Sequence, residues 1–262
     1  MCKIITVSNQ KGGVSKTTTT YNLGASLALN HNKKILLVDT DPQANLSEYL
    51  GYEPDTKPTI TQLVMSVCMQ GIIKPDAVME TVRHCETANL DYIPSDINLA
   101  SSEMMMSTMI SRETILKRIL LKEITCNYDF VLIDCLPSLG ILLINALTIA
   151  DKVLIPVQTQ KFSMDGLQAL ENLYQQIKET INPDISLLGV LPIMADRTTV
   201  SKNAVNTLKE KYRQIIFDTV ISKSVDAAKS SEIHMPLCIM GCKLGTEYEH
   251  LACEVLKRCK DE

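Results

Sequence analysis

The chain has 262 residues, of which 45% are hydrophobic, and this is enough for one large α/β domain with a well-buried sheet. Its formal net charge of -4 excludes a protein covered by basic surface, so any contact with nucleic acid depends on a local patch. No apolar run approaches the roughly 20 residues of a membrane-spanning helix, and the N-terminus lacks a signal-peptide profile. We therefore expect a cytoplasmic protein.

Nine cysteines in a reducing compartment predict free thiols, most of them buried as small apolar side chains. His234, Cys238, Cys242, His250 and Cys253 fall within one short stretch. Only Cys238 and Cys242 have the spacing of a structural zinc pair, so we expect no metal ligation by cysteine.

Short apolar runs alternate along the chain with longer segments of helical period. This pattern predicts an α/β fold, a mostly parallel twisted sheet with helices on both faces. Strands are predicted over residues 3–8, 34–38, 90–94, 130–134, 153–157, 186–191 and 217–221. Helices are predicted over residues 16–30, 111–125, 138–150, 163–180, 199–213 and 244–259, with further helices in the less regular part 51–89. The chain has no repeat and no Gly/Ser linker, so we expect a single domain over 1–262.

The stretch NQKGGVSKTTTT (9–20) joins the first predicted strand to the first predicted helix. Its Gly12–Gly13 turn aims successive backbone N–H groups and a helix N-terminus at one point, which predicts a phosphate site. Lys16 is placed to neutralise the β- and γ-phosphates of a nucleotide, and the Thr17 hydroxyl to ligate Mg²⁺.

Three carboxylates stand at the carboxyl ends of two further predicted strands. Asp39 and Asp41 are one residue apart, so in an extended chain one can face a metal shell while the other reaches an attacking water. Asp134 ends the strand DFVLID, the position of a carboxylate that holds Mg²⁺ through water in phosphate-loop hydrolases. The ends of these two strands, together with the end of the strand that precedes the phosphate loop, predict a nucleotide hydrolase.

The segments NQKGGVSKTTTTYNLG, LLVDTDPQANLSEYLG, YDFVLIDCLPSLGILLINAL, VLIPVQTQ and GVLPIMADRTT carry a family resemblance along essentially the whole chain. They resemble the ParA/Soj chromosome- and plasmid-partitioning ATPases, which are phosphate-loop NTPases with a deviant Walker A motif. The resemblance implies ATP and Mg²⁺ as cofactors, a homodimer formed on ATP binding, a ParB-type partner that stimulates hydrolysis, nonspecific DNA binding and association with the nucleoid. Lys11 corresponds to the family's signature lysine, which reaches across the dimer to the partner's ATP. No N-terminal helix-turn-helix extension and no membrane contact are expected.

The resemblance also assigns roles to individual residues. Catalytic roles fall to Lys11, Lys16, Asp39 and Asp41. Nucleotide contacts fall to Lys11, Gly12, Gly13, Val14, Ser15, Lys16, Thr17, Thr18, Met194, Ser222 and Ser224. The metal site would use Thr17, with Asp134 acting through water. For the DNA contacts, Arg197 and Lys223 match family arginines, and Lys202 and Lys229 are neighbouring cations that would complete the patch.

Three positions depart from the family pattern. Ser15 replaces the glycine before the lysine, where the backbone commonly adopts a positive φ that costs an L-residue about 1 kcal/mol. We expect Ser15 to adopt it, with nucleotide binding kept but altered. Leu136 stands in place of a proline, and Asp226 in place of a DNA-binding arginine, where an acid would repel phosphate.

Four alternatives share parts of the pattern. A MinD-type positioning ATPase would need a C-terminal amphipathic helix, which the ending EVLKRCKDE does not provide. A nitrogenase-type iron protein would need cluster cysteines, and Cys135 has no second cysteine in a suitable motif. A tyrosine autokinase would carry a C-terminal tyrosine cluster, but only Tyr248 lies there. A nucleotide-binding module without turnover is disfavoured by the presence of both Asp39 and Asp41.

Overall fold

A computed structural model describes residues 2–160 and 164–260, which are built around one seven-stranded sheet. The strands are β1 (Lys3–Val7), β2 (Ile35–Asp39), β3 (Arg83–Cys85), β4 (Leu90–Ile93), β5 (Phe130–Asp134), β6 (Lys152–Gln158) and β7 (Ser186–Ile193). Their order across the sheet is β3-β4-β2-β5-β1-β6-β7. All neighbouring pairs are parallel except β3–β4, so the predicted mostly parallel sheet is confirmed.

Helices cover both faces of the sheet, as predicted. They are α1 (Lys16–His31), α2 (Asn45–Tyr49), α3 (Ile60–Gln70), α4 (Pro75–Thr81), α5 (Leu99–Ser107), α6 (Ile115–Ile119), α7 (Lys122–Thr125), α8 (Ile141–Ile149), α9 (Met164–Thr180), α10 (Thr199–Lys211), α11 (Asp226–Glu232) and α12 (Lys243–Lys260). Successive residues of β2 alternate between the two cores: Leu36 and Val38 pack with the α3–α10 side, Leu37 with the α1, α2 and α12 side. This period of two is the physical reason why the strand reads as continuously apolar.

The predicted strand over residues 217–221 is wrong. Isolated bridges flank this segment, Val190 with Ile216 and Ala195 with Ser222, and the Ile221 N–H donates to the Pro192 carbonyl, but no regular ladder forms. The backbone N–H groups of Asp218 and Thr219 donate to the Glu254 carboxylate on α12, at 3.0 and 3.1 Å, which turns them away from a regular ladder. A distant carboxylate therefore overrides the local β-propensity.

The single helix predicted over residues 111–125 is also wrong. A 3-10 turn (Arg112–Thr114) leads into α6, and α7 follows after a break. The break lies at Leu120 (ψ 60°) and Leu121 (ψ 160°), whose backbones leave the helical region. With the helix broken here, the side chains of Leu120 and Ile124 are both buried in the core. Packing against the core therefore disfavours one continuous helix.

The remaining differences are at element boundaries and in the short elements. The predicted helix 138–150 begins at Ile141, and Ser163, the predicted start of the next helix, lies outside the described residues. The helices expected within 51–89 are α3 and α4, whereas α2, α5, α11 and the antiparallel edge strand β3 were not predicted.

The cysteines are free thiols, as expected, but the prediction that most are buried is wrong. Only Cys85 and Cys135 are buried in the described part of the chain, and Cys126 and Cys253 are exposed. Several of the cysteines lie near the ends of helices and strands, where an apolar pattern in the sequence does not guarantee that neighbouring elements bury the side chain. Among the described residues, no helix has the length and apolar character that a membrane crossing requires.

Candidate active site

The loop between β1 and α1 is held in place at its entry. Asn9, which is buried, donates through Nδ2 to the Pro156 carbonyl (2.8 Å) and accepts through Oδ1 from the Lys11 backbone N–H (3.0 Å). A Cβ added at Gly12 or at Gly13 would meet no heavy atom within 4 Å, so the loop faces open space. Its backbone N–H groups and the N-terminus of α1 are thus available to an anion.

Ser15 adopts the left-handed conformation, with φ 49° and ψ 33°, directly before α1. The expectation of a positive φ at this residue is confirmed. Its side chain forms no capping hydrogen bond that would offset the backbone strain of about 1–2 kcal/mol. The serine keeps the loop geometry at an energetic cost.

Lys16 lies at the bottom of the loop and is 7% exposed. Its Nζ donates to the Lys11 carbonyl at 3.2 Å, which curls the loop around the ammonium group. Burial lowers the pKa of Lys16, and the nearby Asp134 carboxylate opposes this shift. A buried cation of this kind favours an anionic ligand in the space above it.

Asp134, at the end of β5, lies next to the first turn of α1. Its carboxylate accepts hydrogen bonds from the hydroxyls of Thr17 (2.7 Å) and Thr20 (3.2 Å). Burial, and then the Asp39 charge on the adjacent strand, raise the pKa of Asp134 to about 8. A divalent cation beside this group would stabilise its ionised form, and hydroxyl and carboxylate oxygens are the ligands that Mg²⁺ prefers.

Asp39 and Asp41 have different surroundings. Both oxygens of Asp39 are used within the chain: Oδ1 accepts from the Asp41 N–H (3.0 Å), and Oδ2 from the Ser47 N–H (2.9 Å) and hydroxyl (2.7 Å). Burial raises the pKa of Asp39 to about 6. Asp41 instead lines the cavity, with Oδ1 accepting from the Gln43 N–H at 2.9 Å. Asp39 therefore shapes the turn that presents Asp41, and a direct part for Asp39 in catalysis stays a prediction.

These elements enclose a cavity of about 430 Å³ at the carboxyl end of the sheet. The predicted residues that line it are Gly13, Val14, Ser15, Lys16, Thr17, Thr18, Asp41 and Met194. The sequence reasoning missed Asn45, Glu48, Tyr49, Pro137 and Ser231. The first three lie on α2, within eight residues of Asp41. Helix α2 has only five residues, too short for a periodic signal, so it was not predicted.

The predicted nucleotide contacts Ser222 and Ser224 are not in this cavity. They line a second cavity of about 500 Å³, together with Arg197, Lys223 and Glu247. The Ser222 hydroxyl donates to the Glu247 carboxylate (2.8 Å), and the Ser224 hydroxyl donates to Asp226 (2.7 Å). The structure thus does not bring these two serines to the phosphate loop.

The four residues predicted to contact DNA are all exposed: Arg197, Lys202, Lys223 and Lys229. Arg197 and Lys223 share the second cavity, whereas Lys202 lies on α10 and Lys229 on α11. Asp226 is the first residue of α11, where a negative charge favours the helix N-terminus. This placement gives the departure from the family pattern a structural role.

Comparisons with known proteins agree with this geometry. A family model described as an AAA domain matches residues 2–187. The sporulation initiation inhibitor protein Soj of Bacillus subtilis is 41% identical over 241 residues, which cover 91% of each chain. The chromosome partitioning protein ParA of Myxococcus xanthus is 33% identical over 259 residues, 98% of this chain and 88% of that protein.

Among solved structures, cobyrinic acid a,c-diamide synthase from Mycobacterium smegmatis, with bound ADP and magnesium, is similar with a TM-score of 0.83. That match has 31% identity and covers 99% of this chain and 96% of the other. The septum site-determining protein MinD from Pyrococcus horikoshii has a TM-score of 0.76 at 20% identity, covers 99% of this chain and 98% of the other, and shows the shared fold alone. The sequence relatives and the geometry of the phosphate loop agree: this chain belongs to the ParA/Soj family of partitioning ATPases.

Proposed function

We propose that this protein hydrolyses ATP with Mg²⁺, dimerises around two sandwiched ATP molecules, and binds DNA without sequence preference as that dimer. A ParB-type partner stimulates hydrolysis and so releases the protein from the nucleoid. The observation that carries this proposal is that Lys16, Thr17 and Asp41 line one cavity beside the phosphate loop, with the buried Asp134 carboxylate hydrogen-bonded to the Thr17 hydroxyl.

Each of these groups has a defined part in the proposed reaction. The loop N–H groups and Lys16 hold the β- and γ-phosphates, since a buried ammonium gains most from a nearby negative charge. Thr17 and Asp134 would hold Mg²⁺, with Asp134 acting through water, and the bound ion would supply positive charge beside the phosphates. Asp41 lines the cavity with a carboxylate that can orient the attacking water. Asp39 keeps Asp41 in place through its hydrogen bonds.

Dimerisation is assigned to Lys11. The support is its match to the family's signature lysine and the fixed backbone around it, since its N–H donates to Asn9 and its carbonyl accepts from Lys16. A lysine on a rigid loop beside the cavity can deliver its charge to a nucleotide on a second copy with little loss of backbone entropy. ATP is then part of the dimer contact.

DNA binding is assigned to the exposed cations Arg197, Lys202, Lys223 and Lys229. The support is their match or proximity to the family's DNA-contacting positions and their exposure. Because the net charge of the chain is -4, such a patch has to act locally, and its strength should fall steeply with salt.

The experiment is a nucleotide-binding titration combined with a phosphate-release assay. Lys16→Ala should lose both ATP binding and phosphate release, because no other loop cation replaces its charge at the bottom of the loop. Lys34→Ala is the matched control: Lys34 is exposed just before β2, at the opposite end of the sheet, and its loss should change neither. Phosphate release by Lys16→Ala at the wild-type rate would contradict the proposal. If the wild type binds ATP but releases no phosphate, the protein is a nucleotide-dependent binding module and not an ATPase.

A further inference from the structure

His31, Glu249 and Cys253 form a cluster far from the active site. His31 is the last residue of α1, about 22 Å along the helix from Lys16. Glu249 and Cys253 lie one turn apart on the same face of α12, which packs along α1 through buried residues such as Tyr248 and Leu251. Two helices thus bring an imidazole, a carboxylate and a thiol together.

The distances within the cluster fit a metal site. His31 Nε2 lies 3.0 Å from Glu249 Oε1, and Cys253 Sγ lies 3.8 Å from each of these two atoms. A tetrahedral Zn²⁺ with ordinary bond lengths separates its nitrogen and oxygen ligands by about 3.3 Å and its sulfur from either by about 3.6 Å. The three ligand atoms therefore need shifts of only about 0.3 Å to share one ion.

The surroundings orient the ligands and leave one position open. The Asn30 amide donates to Glu249 Oε2, which leaves Oε1 directed at His31 and Cys253. Such an outer hydrogen bond fixes a ligating carboxylate in metal sites. Cys253 is exposed, and the His31 and Glu249 side chains are 22% and 27% exposed, so a water molecule can reach the fourth position.

We propose that His31, Glu249 and Cys253 bind a divalent cation of the Zn²⁺ class, which fastens the end of α1 to α12. The thiolate and imidazole ligands select this class over Mg²⁺ and Ca²⁺, which prefer oxygen, so the site is chemically distinct from the Mg²⁺ site of the nucleotide. The proposal revises the expectation from the sequence that no cysteine ligates a metal, because Cys253 is one of the ligands. The ligands do not include the Cys238–Cys242 pair, which has the spacing of a structural zinc pair.

The test uses the untagged full chain, free of nucleotide and Mg²⁺. Calorimetry with Zn²⁺ alone should give one tight equivalent, and Co²⁺ in its place should give a near-ultraviolet thiolate charge-transfer band. Cys253→Ser should abolish the band and the tight equivalent, and His31→Ala should lose the tight equivalent. Asn30→Ala should weaken Zn²⁺ binding by about 10- to 100-fold, because it removes only the orienting hydrogen bond.

Two matched variants separate the cluster from other thiols and imidazoles. Cys126→Ser removes the other exposed cysteine, and His250→Ala removes the exposed histidine beside Glu249; both should keep the band and the affinity. A wild type without a tight equivalent, or a band that persists in Cys253→Ser, would overturn the proposal. Unchanged ATP binding by Cys253→Ser shows that the variant is folded, so failure of the metal site would not affect the proposed ATPase function.

Discussion

Replacing Ser15 with glycine tests the strain that the phosphate loop stores. Ser15 is held at φ 49° and ψ 33°, and its hydroxyl makes no capping bond, so glycine loses no cap and removes a penalty of about 1–2 kcal/mol. Glycine also gains freedom in the unfolded chain, which costs about 0.4–1 kcal/mol. The middle of each range leaves a net stabilisation of about 0.8 kcal/mol, or about 1.5 °C in Tm for a chain of this length. Urea denaturation of the nucleotide-free protein measures it.

Two serine-to-glycine controls isolate the backbone effect. Ser111 has nearly the same conformation (φ 55°, ψ 39°) in an exposed position, so Ser111→Gly should give a similar gain without changing nucleotide affinity. Ser101 lies inside α5, where glycine should destabilise by about 0.5 kcal/mol. Only Ser15→Gly should also change ATP affinity, because Ser15 lines the cavity. If Ser15→Gly destabilises the protein as much as Ser101→Gly does, the strain argument is wrong.

Three further predictions concern charged groups. Because the folded-state pKa of Asp134 is raised to about 8 from 3.8, its stabilising contribution is present in full below pH 3.8 and is lost as the pH rises to about 8. The free energy of unfolding should therefore slope downward across this range. Asp134→Asn should remove most of this slope in urea denaturation at pH 6 and 7.5 without Mg²⁺, and an unchanged slope would refute the raised pKa. Asp41→Ala should keep ATP binding and stop phosphate release; normal release would move the water-orienting role elsewhere. Asp226→Arg should tighten DNA binding in the presence of ATP and steepen its salt dependence, and Arg197→Ala should weaken DNA binding both in the wild type and in Asp226→Arg. The measurement is a DNA titration at two salt concentrations. If neither variant differs from its parent, this surface does not bind DNA.

The features that the sequence predicted correctly depend on residues close together in the chain or on the ends of strong strands. The loop around Lys16 and the carboxylate of Asp134 are of this kind, because parallel strands bring their carboxyl ends to one edge whatever the loops between them do. The left-handed backbone of Ser15 followed from the position of one residue in a motif of known geometry.

The features that the sequence did not predict depend on distant partners. Glu254 withdraws the N–H groups of Asp218 and Thr219 from the sheet across more than thirty residues of chain. Tyr49 reaches the active-site cavity from a helix of five residues, and its hydroxyl bonds with Ser230 on α11. Neither the hydrophobic periodicity nor the motif spacing of the sequence predicts contacts between residues so far apart in the chain.

The proposed ATP-sandwich dimer is tested most directly by light scattering with Mg²⁺ and either ATP or ADP, on Asp41→Ala and on the double variant that adds Lys11→Ala. Asp41→Ala should have twice the 29.1 kDa mass of one chain with ATP and a single-chain mass with ADP. The double variant should bind ATP and yet keep a single-chain mass, since it lacks the lysine assigned to the partner's nucleotide. A double variant that dimerises with ATP as well as Asp41→Ala does would contradict the account.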